Sequence, residues 1–521
     1  NAKKTQEKLL FDILRSNRSS DIGGRYGFSE LSSAEAFRGV PLSEYEDYKA
    51  AIDRIRAGDS QVLTTEPVDL LHPTSGSTDG TKLIPYTRAL LRQFRAAIDP
   101  WIGTLYLSCP SLFWGSHYWS ISPSTRSTPD PGAKMPIGFA SDAEYLGVTQ
   151  RWLTRILFAV PSEISQVTDQ RAFDYLTLLF LAREKNLRLI SVWHASFLTV
   201  MISEIGNHKK HIVNDIRTGK IRKDLAISSD LRELLESSLG RDPRRADELE
   251  GIDTAVRAFP GNIWPRLRLI SCWTNGHSQP WIAELRERFP AALVQGKGLI
   301  ATEGVVSFPV GWTHRVCAVR SHFFEFVDTV TGEACFLWEI TPEKEYSVII
   351  TTGGGLYRYR LHDLVRVSGF FCRVPCLEFI SRDNLVSDIV GEKLNGRHVA
   401  DCICRVQREC AIPFDFAMLA PLSDQEATGY VLYVQVQEGV DVDYGRLAAL
   451  LDDALCANFN YRHARQISQL HPVRVFQIRR DADAAYRRYC AGNGMKAGEI
   501  KLPALSTDTR WDVVFDGGLV A

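Results

Sequence analysis

The chain has 521 residues, of which 45% are hydrophobic and 24% are charged, and its formal net charge is −1. This composition predicts a globular protein of two or three domains with a large core. Lysine and arginine are scattered along the chain rather than grouped in a stripe, so the sequence does not indicate a nucleic-acid partner.

The N-terminal segment, NAKKTQEKLLFDIL, has the pattern of an amphipathic helix and lacks the apolar core and cleavage site of a signal peptide. The most apolar run, FDYLTLLFLA, is too short to span a bilayer and is predicted to form a buried helix. We therefore expect a cytoplasmic protein without a membrane segment. Its eleven cysteines show no zinc-type spacing and are expected to be reduced thiols.

The segment TSGSTDGTKLIPYT, residues 74–87, concentrates hydroxyl side chains, glycines and a lysine. Glycines let backbone N–H groups approach an anion, and hydroxyls add further donors, so the segment suits a phosphate loop. Its spacing differs from a P-loop, because three residues separate Gly76 and Gly80 and no Ser or Thr follows Lys82. Short apolar strands are predicted on both sides, and Thr87 is predicted to cap the next helix. An ordinary polar turn is the alternative.

Helical and strand patterns alternate over the first 380 residues, which predicts a mixed α/β region. The predicted helices are 149–160, 168–185, 229–238 and 280–288, and the predicted strands are 266–273, 291–300, 346–352 and 364–370. From about residue 390 the order is helix, two strands, amphipathic helix, strand and short helix, which is typical of a compact α+β domain. We predict a large domain over residues 1–381 and a small mobile domain over 382–521 that turns about Arg382 and Asp383.

Three further segments carry candidate functional residues. GKGLIATEGV places Thr302 and Glu303 directly after a predicted strand, GLYRYRLHDLVRVSGF places Asp363 between strands, and SRDN places Arg382 at the predicted domain junction. Each alone has an ordinary explanation as a strand-end carboxylate, an ion pair or a turn. In this order, after the hydroxyl-rich loop, they resemble the signature elements of adenylate-forming enzymes, the superfamily of acyl-CoA synthetases, peptide-synthetase adenylation domains and luciferases.

Within that superfamily the chain resembles the acyl acid amido synthetases, the auxin-responsive Gretchen Hagen three family, and their bacterial relatives. TSGSTDGTKLIPYT is similar to the family's phosphate loop, IWPRLRLISCW and GKGLIATEG to its middle segments, and GLYRYRLHDLVRVSGF to its Y-R-x-G-D element. The resemblance implies an α/β fold with a large multi-sheet N-terminal adenylate-forming domain and a small mobile α+β C-terminal domain. It also implies a ligase that uses ATP and Mg2+ to form an acyl-AMP, releases pyrophosphate and transfers the acyl group to an amine, expected to be an amino acid.

The resemblance also assigns site residues. Glu303 would hold Mg2+, Thr302 would contact the α-phosphate, Asp363 would accept hydrogen bonds from the ribose diol, and Arg382 would support the sugar or the phosphate. The remaining residues assigned to ATP are Thr74, Ser75, Gly76, Ser77, Thr78, Gly80, Lys82, Gly276 and Ala301.

Two lysines are candidates for the catalytic cation. Lys501, in GEIKLPAL, resembles the family's C-terminal lysine, and the small domain would bring it over the α-phosphate and the attacking carboxylate. Lys393, in GEKLN, is the second candidate. Its neighbours Glu392 and Asn395 suit a capped helix start equally well.

The acyl pocket is expected between the phosphate loop and the middle strands. The segment LFWGSHYWSISP carries Trp114, Tyr118 and Trp119, which could wall a pocket for an aromatic or alicyclic acid, although an aromatic core explains them as well. Trp273 in CWTNGH is the better candidate, since related enzymes place a glycine loop there. The sequence does not identify the acid.

The chain departs from the family pattern at two positions. Leu299 stands where many members carry an aromatic residue, and His362 stands at the glycine of Y-R-x-G-D, either as an addition beside the ribose or as a structural residue. Two alternatives to the amide ligase therefore stay open. One is an acyl-CoA or carrier-protein thiol ligase, and the other is a non-catalytic nucleotide-binding member. We expect a monomer whose partners are a carboxylic acid and an amine or amino acid.

Overall fold

The computed structural model describes residues 1–74, 82–120, 157–274, 279–382, 386–422, 428–437, 439–493, 495, 500 and 502–520. The chain divides into two compact units. The first contains Asn1–Thr74, Lys82–Leu361 and Arg366–Glu378, and the second contains His362–Val365 and the chain from Phe379 onward. The boundary at 381/382 and the hinge stay predictions, and Asp383 lies outside the described residues.

Helices and strands alternate in only part of the first unit, because the chain from Ser307 to Arg382 forms seven strands without an α-helix between them, contrary to the predicted alternation. A shorter α+β series follows residue 386. The described α-helices are α1 (Ala2–Ser16), α2 (Asp21–Arg25), α3 (Ala34–Phe37), α4 (Lys49–Ala57), α5 (Arg88–Ser108), α6 (Gln170–Arg183), α7 (Ala195–Thr218), α8 (Ser229–Leu239), α9 (Pro243–Glu250), α10 (Phe259–Ile263), α11 (Gln279–Arg288), α12 (Gly396–Cys410), α13 (Tyr444–Leu455), α14 (Phe459–Gln466), α15 (Ala482–Gly492) and α16 (Trp511–Val514). The described strands are β1 (Leu70–Pro73), β2 (Leu83–Tyr86), β3 (Ser116–Trp119), β4 (Leu187–His194), β5 (Leu269–Trp273), β6 (Leu293–Gly296), β7 (Ser307–Val310), β8 (His314–Cys317), β9 (Phe323–Asp328), β10 (Ala334–Phe336), β11 (Glu345–Thr351), β12 (Tyr359–Phe371), β13 (Val374–Arg382), β14 (Val386–Ser387), β15 (Leu394–Asn395), β16 (Phe414–Pro421), β17 (Tyr430–Val436), β18 (Arg474–Ile478) and β19 (Gly517–Leu519).

The strands that the structure describes form five sheets. A parallel sheet has the order β3-β4-β5-β6, and a seven-stranded sheet has the order β10-β9-β11-β12-β13-β8-β7. The pairs β1-β2 and β14-β15 are small antiparallel sheets. The second unit is built on the sheet β16-β17-β18-β19, in which β17 and β18 are parallel.

Helix α6 forms part of the core beside the parallel sheet and is the apolar helix that the sequence predicts. The Asp169 side chain caps its start by accepting a hydrogen bond from the Ala172 N–H at 2.8 Å. Its residues from Tyr175 to Ala182 are buried without interruption. The predicted buried helix is confirmed, and no described helix is both long and apolar enough to cross a membrane.

In the second unit the sheet buries both faces, and successive residues alternate between two cores. Leu419 and Leu432 pack in the core that α12 and α13 cover, whereas Met418 and Tyr433 pack in the core that α15 and α16 cover. This alternation follows from the two-residue period of a strand. The helices and strands predicted after residue 390 are confirmed in type and order.

The structure differs from the predicted elements in three places. The single helix expected over 443–459 ends at Leu455, because the Asn458 side chain caps a new helix, α14. Helix α7 was not predicted. The strand expected over 291–300 ends at Gly296. The backbone then passes close to the segment around Ser307, so that a Cβ on Gly298 would lie 2.0 Å from the Ser307 carbonyl oxygen. Most of the helix expected over 149–160 lies outside the described residues.

Candidate active site

The β1-β2 hairpin holds the base of the hydroxyl-rich loop. The Thr74 N–H donates to the Lys82 carbonyl at 2.8 Å. The Thr74 Oγ1 atom is buried and has no hydrogen-bond partner among the described residues. Lys82 Nζ lies 5.4 Å from the centroid of the Tyr45 ring. The predicted flanking strands are confirmed, whereas Ser75, Gly76, Ser77, Thr78 and Gly80 lie outside the described residues.

The helix cap predicted directly after this hairpin is also present. Thr87 precedes α5, and its side chain accepts a hydrogen bond from the Leu90 N–H at 3.1 Å. Its hydroxyl donates to the Gly353 carbonyl at 2.9 Å, so one buried side chain both starts the helix and attaches it to the segment after β11.

Thr302 and Glu303 occupy the tip of a tight turn. Ala301 and Gly304 exchange backbone hydrogen bonds of 2.9 and 3.2 Å across it. The Tyr86 hydroxyl, at the end of β2, donates to the Thr302 carbonyl at 2.6 Å. The structure therefore joins the strand that leaves the hydroxyl-rich loop to the segment predicted to contact the α-phosphate and the metal.

A buried histidine supports the far side of this turn. His322 Nε2 accepts a hydrogen bond from the Val305 N–H at 3.1 Å, which leaves Nδ1 to donate to Gln93 Oε1 at 3.1 Å. Burial lowers the pKa of His322 to about 3, so the imidazole is neutral. A Cβ on Gly304 would lie 2.7 Å from Nε2, so His322 and the turn fit closely. Sequence reasoning missed this residue, which lies outside every motif.

Asp363 and Arg382 form an ion pair in the second unit. The distance from Arg382 Nε to Asp363 Oδ1 is 3.6 Å, and the Asp363 side chain is 10% exposed, compared with 46% for Arg382. These two residues, from different predicted segments, are brought together. Asp363 lies within the continuous strand β12, not between two strands as predicted, and Arg382 is the last residue of β13. A buried carboxylate beside an accessible guanidinium can accept hydrogen bonds from a diol while the cation faces an anion.

The backbone explains the glycine of the Y-R-x-G-D pattern. His362 has a φ of 62°, in the left-handed region that glycine adopts without steric cost. The family glycine thus corresponds to a backbone requirement immediately before the ribose candidate. Here a histidine meets that requirement at some conformational cost.

The predicted acyl residues fall in different environments. Trp114 is 77% exposed, whereas Tyr118 is 1% exposed and packs in the core. Trp119 and Trp273 are the last residues of β3 and β5. They therefore lie at the carboxyl edge of the parallel sheet, where open α/β sheets bind ligands. Gly276 lies outside the described residues.

Two cations at this same edge were missed. Lys297 directly follows β6 and is 2% exposed. Arg315 Nη2 donates to Thr274 Oγ1 at 3.1 Å, and a Cβ on Gly296 would lie 2.2 Å from that nitrogen. The glycines on both sides of Lys297 were the available signal, because they permit close approach to a backbone.

Of the two candidate catalytic lysines, the structure describes only Lys393. Lys393 is exposed and has a φ of 45°. It precedes Asn395, whose side chain accepts a hydrogen bond from the His398 N–H at 2.8 Å and caps α12, so the predicted cap is confirmed. Buried Glu392 accepts hydrogen bonds from the Ile389 and Val390 N–H groups and fixes this turn. Lys501 lies outside the described residues.

Comparison with known proteins covers nearly the whole chain. Models of the GH3 family N-terminal, central and C-terminal domains match residues 1–294, 315–382 and 398–510. The chain belongs to the GH3 family. Probable indole-3-acetic acid-amido synthetase GH3.12 of Oryza sativa subsp. japonica is 24% identical, with 96% of this chain and 91% of the relative covered. Indole-3-acetic acid-amido synthetase GH3.4 of Arabidopsis thaliana is 26% identical, with 75% and 69% covered.

Solved structures show the same fold. The structure of AtGH3.15 acyl acid amido synthetase in complex with 2,4-DB has a TM-score of 0.87 at 19% identity, with 100% of this GH3 chain and 94% of that chain covered. A 2-hydroxyisobutyryl-CoA ligase in the postadenylation state has a TM-score of 0.54 at 10% identity, with 98% and 89% covered. The predicted family, the α/β adenylate-forming fold and the predicted ligase class are confirmed.

Proposed function

We propose that this GH3 chain is an ATP-dependent acyl acid-amido synthetase that joins an aromatic carboxylic acid to an amino acid. The observation that carries the proposal is the match to all three GH3 domain models. The relatives' names support an aryl acid and an amide product. A carboxylate oxygen attacks the α-phosphorus of ATP, and pyrophosphate leaves. The amino acid nitrogen then attacks the acyl carbon, loses a proton and displaces AMP.

The first step brings two anions together, so the site must supply positive charge and hydrogen-bond donors. In this proposal the hydroxyl-rich loop and Lys82 bind the β- and γ-phosphates, and Thr302 contacts the α-phosphate. The hydrogen bond from Tyr86 to the Thr302 carbonyl supports this role, because it sets the position of Thr302 relative to β2.

Glu303, a half-buried carboxylate next to the proposed contact with the α-phosphate, suits a Mg2+ ion. Mg2+ is commonly held by one or two carboxylates together with substrate phosphates and water. Among the described residues no group of three or more histidine, cysteine, aspartate or glutamate side chains forms a metal cluster. We therefore assign Glu303, at the tip of its turn, as the protein ligand, with the other ligands coming from ATP and water. The bound metal would neutralise charge on the phosphates.

Asp363 and Arg382 serve the ribose in this proposal. The Asp363 carboxylate can accept hydrogen bonds from both ribose hydroxyls, and Arg382 would face the sugar or phosphate. For the catalytic cation, Lys501 is the first candidate and Lys393 the second, each acting on the charge that develops at the α-phosphate. The C-terminal domain, 382–521, would turn about Arg382 and Asp383 between the half-reactions. We further propose a cytoplasmic monomer.

Pyrophosphate release with a panel of aryl acids tests the first half-reaction, and product mass with amino acids or with coenzyme A tests the second. The proposal expects an amide in the mass spectrum. A thioester product would establish the thiol ligase instead. A protein that binds ATP but releases no pyrophosphate with any acid would be the non-catalytic member.

Variants assign the roles. Glu303→Gln keeps the side-chain size but removes the metal ligand charge, so pyrophosphate exchange should fall by on the order of a hundredfold or more while the protein stays folded. Lys501→Ala should lose exchange and still convert a supplied acyl-adenylate to amide. Normal exchange in Lys501→Ala together with loss of exchange in Lys393→Ala would move the role to Lys393.

A further inference from the structure

Lys297 lies where the carboxyl ends of the parallel strands meet. It follows Gly296, the last residue of β6, and its N–H donates to the Cys272 carbonyl of β5 at 2.9 Å. Trp119 is the last residue of β3, and Trp193 is the second-last residue of β4. This edge of an open parallel sheet is the usual place for a ligand.

Three tryptophan rings and one hydroxyl surround the ammonium group. Lys297 Nζ lies 5.1 Å from the Trp101 ring centroid, 5.5 Å from that of Trp119 and 5.1 Å from that of Trp193. It donates a hydrogen bond to Ser191 Oγ at 2.7 Å. Lys297 and Trp101 are buried, whereas Trp119 and Trp193 are half-buried. We call these five residues the lysine cage.

The cage leaves the ammonium group with unused hydrogen-bonding capacity. An ammonium has three N–H donors, and the Ser191 hydroxyl takes one of them. No carboxylate of the described residues forms an ion pair with Lys297. Two polar atoms of a cage ring and of a residue paired with the cage are buried without a hydrogen-bond partner in the described part of the chain. They are Trp101 Nε1 and the Oγ of Ser271, which pairs in register with Ser191.

Burial without a carboxylate is unfavourable for a charged amine and lowers the pKa of Lys297 to about 7. Cys272 does not compensate the charge, because burial raises the pKa of its thiol to about 12. An oxygen acceptor from a ligand would stabilise the ammonium form. Since Trp119 was already predicted to contact the acyl group, the acid substrate is the ligand whose position fits.

We propose that Lys297 is a specificity-determining residue of the acyl site, and that its ammonium group binds a second oxygen acceptor of an aromatic acid, remote from the reacting carboxylate. The acid's ring would lie against Trp119 and Trp193, and its distal hydroxyl or carboxylate would accept the hydrogen bond. The substrate class is thus an aryl acid with a distal oxygen. The predicted effect on pyrophosphate release rests on the proposed function, whereas the predicted binding of the acid at Lys297 does not.

The test compares phenylacetates and phenylpropanoates that carry a para-hydroxyl, para-carboxylate or para-methyl group. For each acid, kcat/KM of pyrophosphate release and the Kd from tryptophan fluorescence without ATP are measured. Lys297→Met should lower the preference for the oxygen-bearing acid over its methyl analogue by roughly tenfold to a hundredfold, since it removes a charged hydrogen-bond donor. Lys344→Met, a change at an exposed lysine that pairs with the buried carboxylate of Asp328, is the control and should leave the preference unchanged.

The outcomes separate this inference from the proposed function. An unchanged preference in Lys297→Met overturns the inference even if amide forms, and an equal loss for all acids assigns Lys297 to the reacting carboxylate instead. A Lys297-dependent binding preference without pyrophosphate release supports the inference and contradicts the proposed function.

The pH dependence of acid binding tests the same inference on the unmodified protein, so it does not depend on whether Lys297→Met folds. The affinity for the oxygen-bearing acid should fall as pH rises above about 7, because the ammonium loses its proton. Of the neighbouring groups, the Cys272 thiol titrates near pH 12, and Arg315, which packs on Gly296, keeps its charge. The affinity for the methyl analogue should be flat, and parallel curves for the two acids would overturn the inference.

Discussion

Arg358 and Lys297 are both buried cations of the first unit, but their surroundings differ. Arg358 binds both oxygens of Glu325, at 2.9 and 2.8 Å, and donates to the carbonyls of Arg38 and Val40. Lys297 has one hydroxyl partner and three aromatic rings. A buried cation that is hydrogen-bonded through every nitrogen and faces a carboxylate has little capacity left for a ligand, whereas one with unused donors and no carboxylate can bind a ligand.

The difference follows from the groups that the two cations meet. Glu325 lies within β9 and is paired on both sides, by β10 and β11, so its carboxylate is enclosed by protein. Lys297 lies beyond the last residue of β6, where the ladder has ended. Arg358, directly before β12, thus meets a carboxylate inside a sheet, whereas Lys297, directly after β6, forms an ion pair with no carboxylate of the described residues.

The largest effect is expected where the paired cation is removed. Arg358→Met leaves Glu325 buried without its partner, and burial already raises the pKa of that carboxyl. The free energy of unfolding should fall by about 3–5 kcal/mol, measured by chemical denaturation. The control is Arg366→Met at the half-buried pair with Glu345, which should cost less than about 1 kcal/mol. Equal losses would contradict the contrast between a fully buried and a half-buried ion pair.

The second prediction concerns acid stability. The pKa of His322 in the folded protein is about 3, below that of an unfolded histidine. The contribution of His322 to the free energy of unfolding is therefore fully present above about pH 6.5 and is lost as pH falls. Between pH 6 and pH 4 the unfolding free energy should drop by about 2–3 kcal/mol from this residue. Denaturation at each pH measures the slope. His322→Asn should reduce the slope of the unfolding free energy against pH. An identical slope in the variant and the unmodified protein would mean that His322 does not titrate on unfolding.

The third prediction tests the stability effect of the lysine cage. Because the folded pKa of Lys297 is lowered to about 7, stability is highest above the unfolded pKa and falls as pH decreases towards 7. Lys297→Met should remove that dependence and raise the unfolding free energy at pH 7 by about 1–2 kcal/mol. Thermal denaturation between pH 7 and pH 9 measures it. A loss of stability as large as that of Arg358→Met would make the cage a structural ion site.

The fourth prediction concerns the ribose pair. Asp363→Asn retains the side-chain shape but weakens two acceptors, so ATP affinity should fall by roughly tenfold, about 1.4 kcal/mol, in a calorimetric titration. Asp388→Asn changes a carboxylate that accepts a hydrogen bond from the Gly391 N–H and is the matched control in the same unit. Unchanged ATP affinity in Asp363→Asn would remove this residue from the nucleotide site.

The smallest effect is expected at His362. His362→Gly relieves the left-handed backbone but increases the flexibility of the unfolded chain, so the unfolding free energy should change by less than about 1 kcal/mol. His362→Ala keeps the strain without the imidazole and serves as the comparison. A large loss of ATP affinity in both variants, with stability unchanged, would give the imidazole a role beside the ribose.

Much of the local structure could be predicted because neighbouring residues determine it. Thr87 and Asn395 are recognisable helix caps, and the hydroxyl-rich loop is flanked by apolar strands in the sequence and in the structure. The long helix α7 was missed because it directly follows β4, and their joint apolar pattern has no turn residue between them. The order of the site segments pointed to the family before any contact was known.

The sequence by itself determined the family, the order of helices and strands, and which residue types could bind ATP, because these depend on patterns within short segments. Only the tertiary structure decided which side chains meet. The Lys297 and Ser191 side chains are 106 residues apart in the chain, and Arg358 and Glu325 are 33 apart. Such pairs depend on sheet order and strand register, which place segments distant in sequence on neighbouring strands about 5 Å apart. Order and register are set by packing of the whole domain rather than by local propensity.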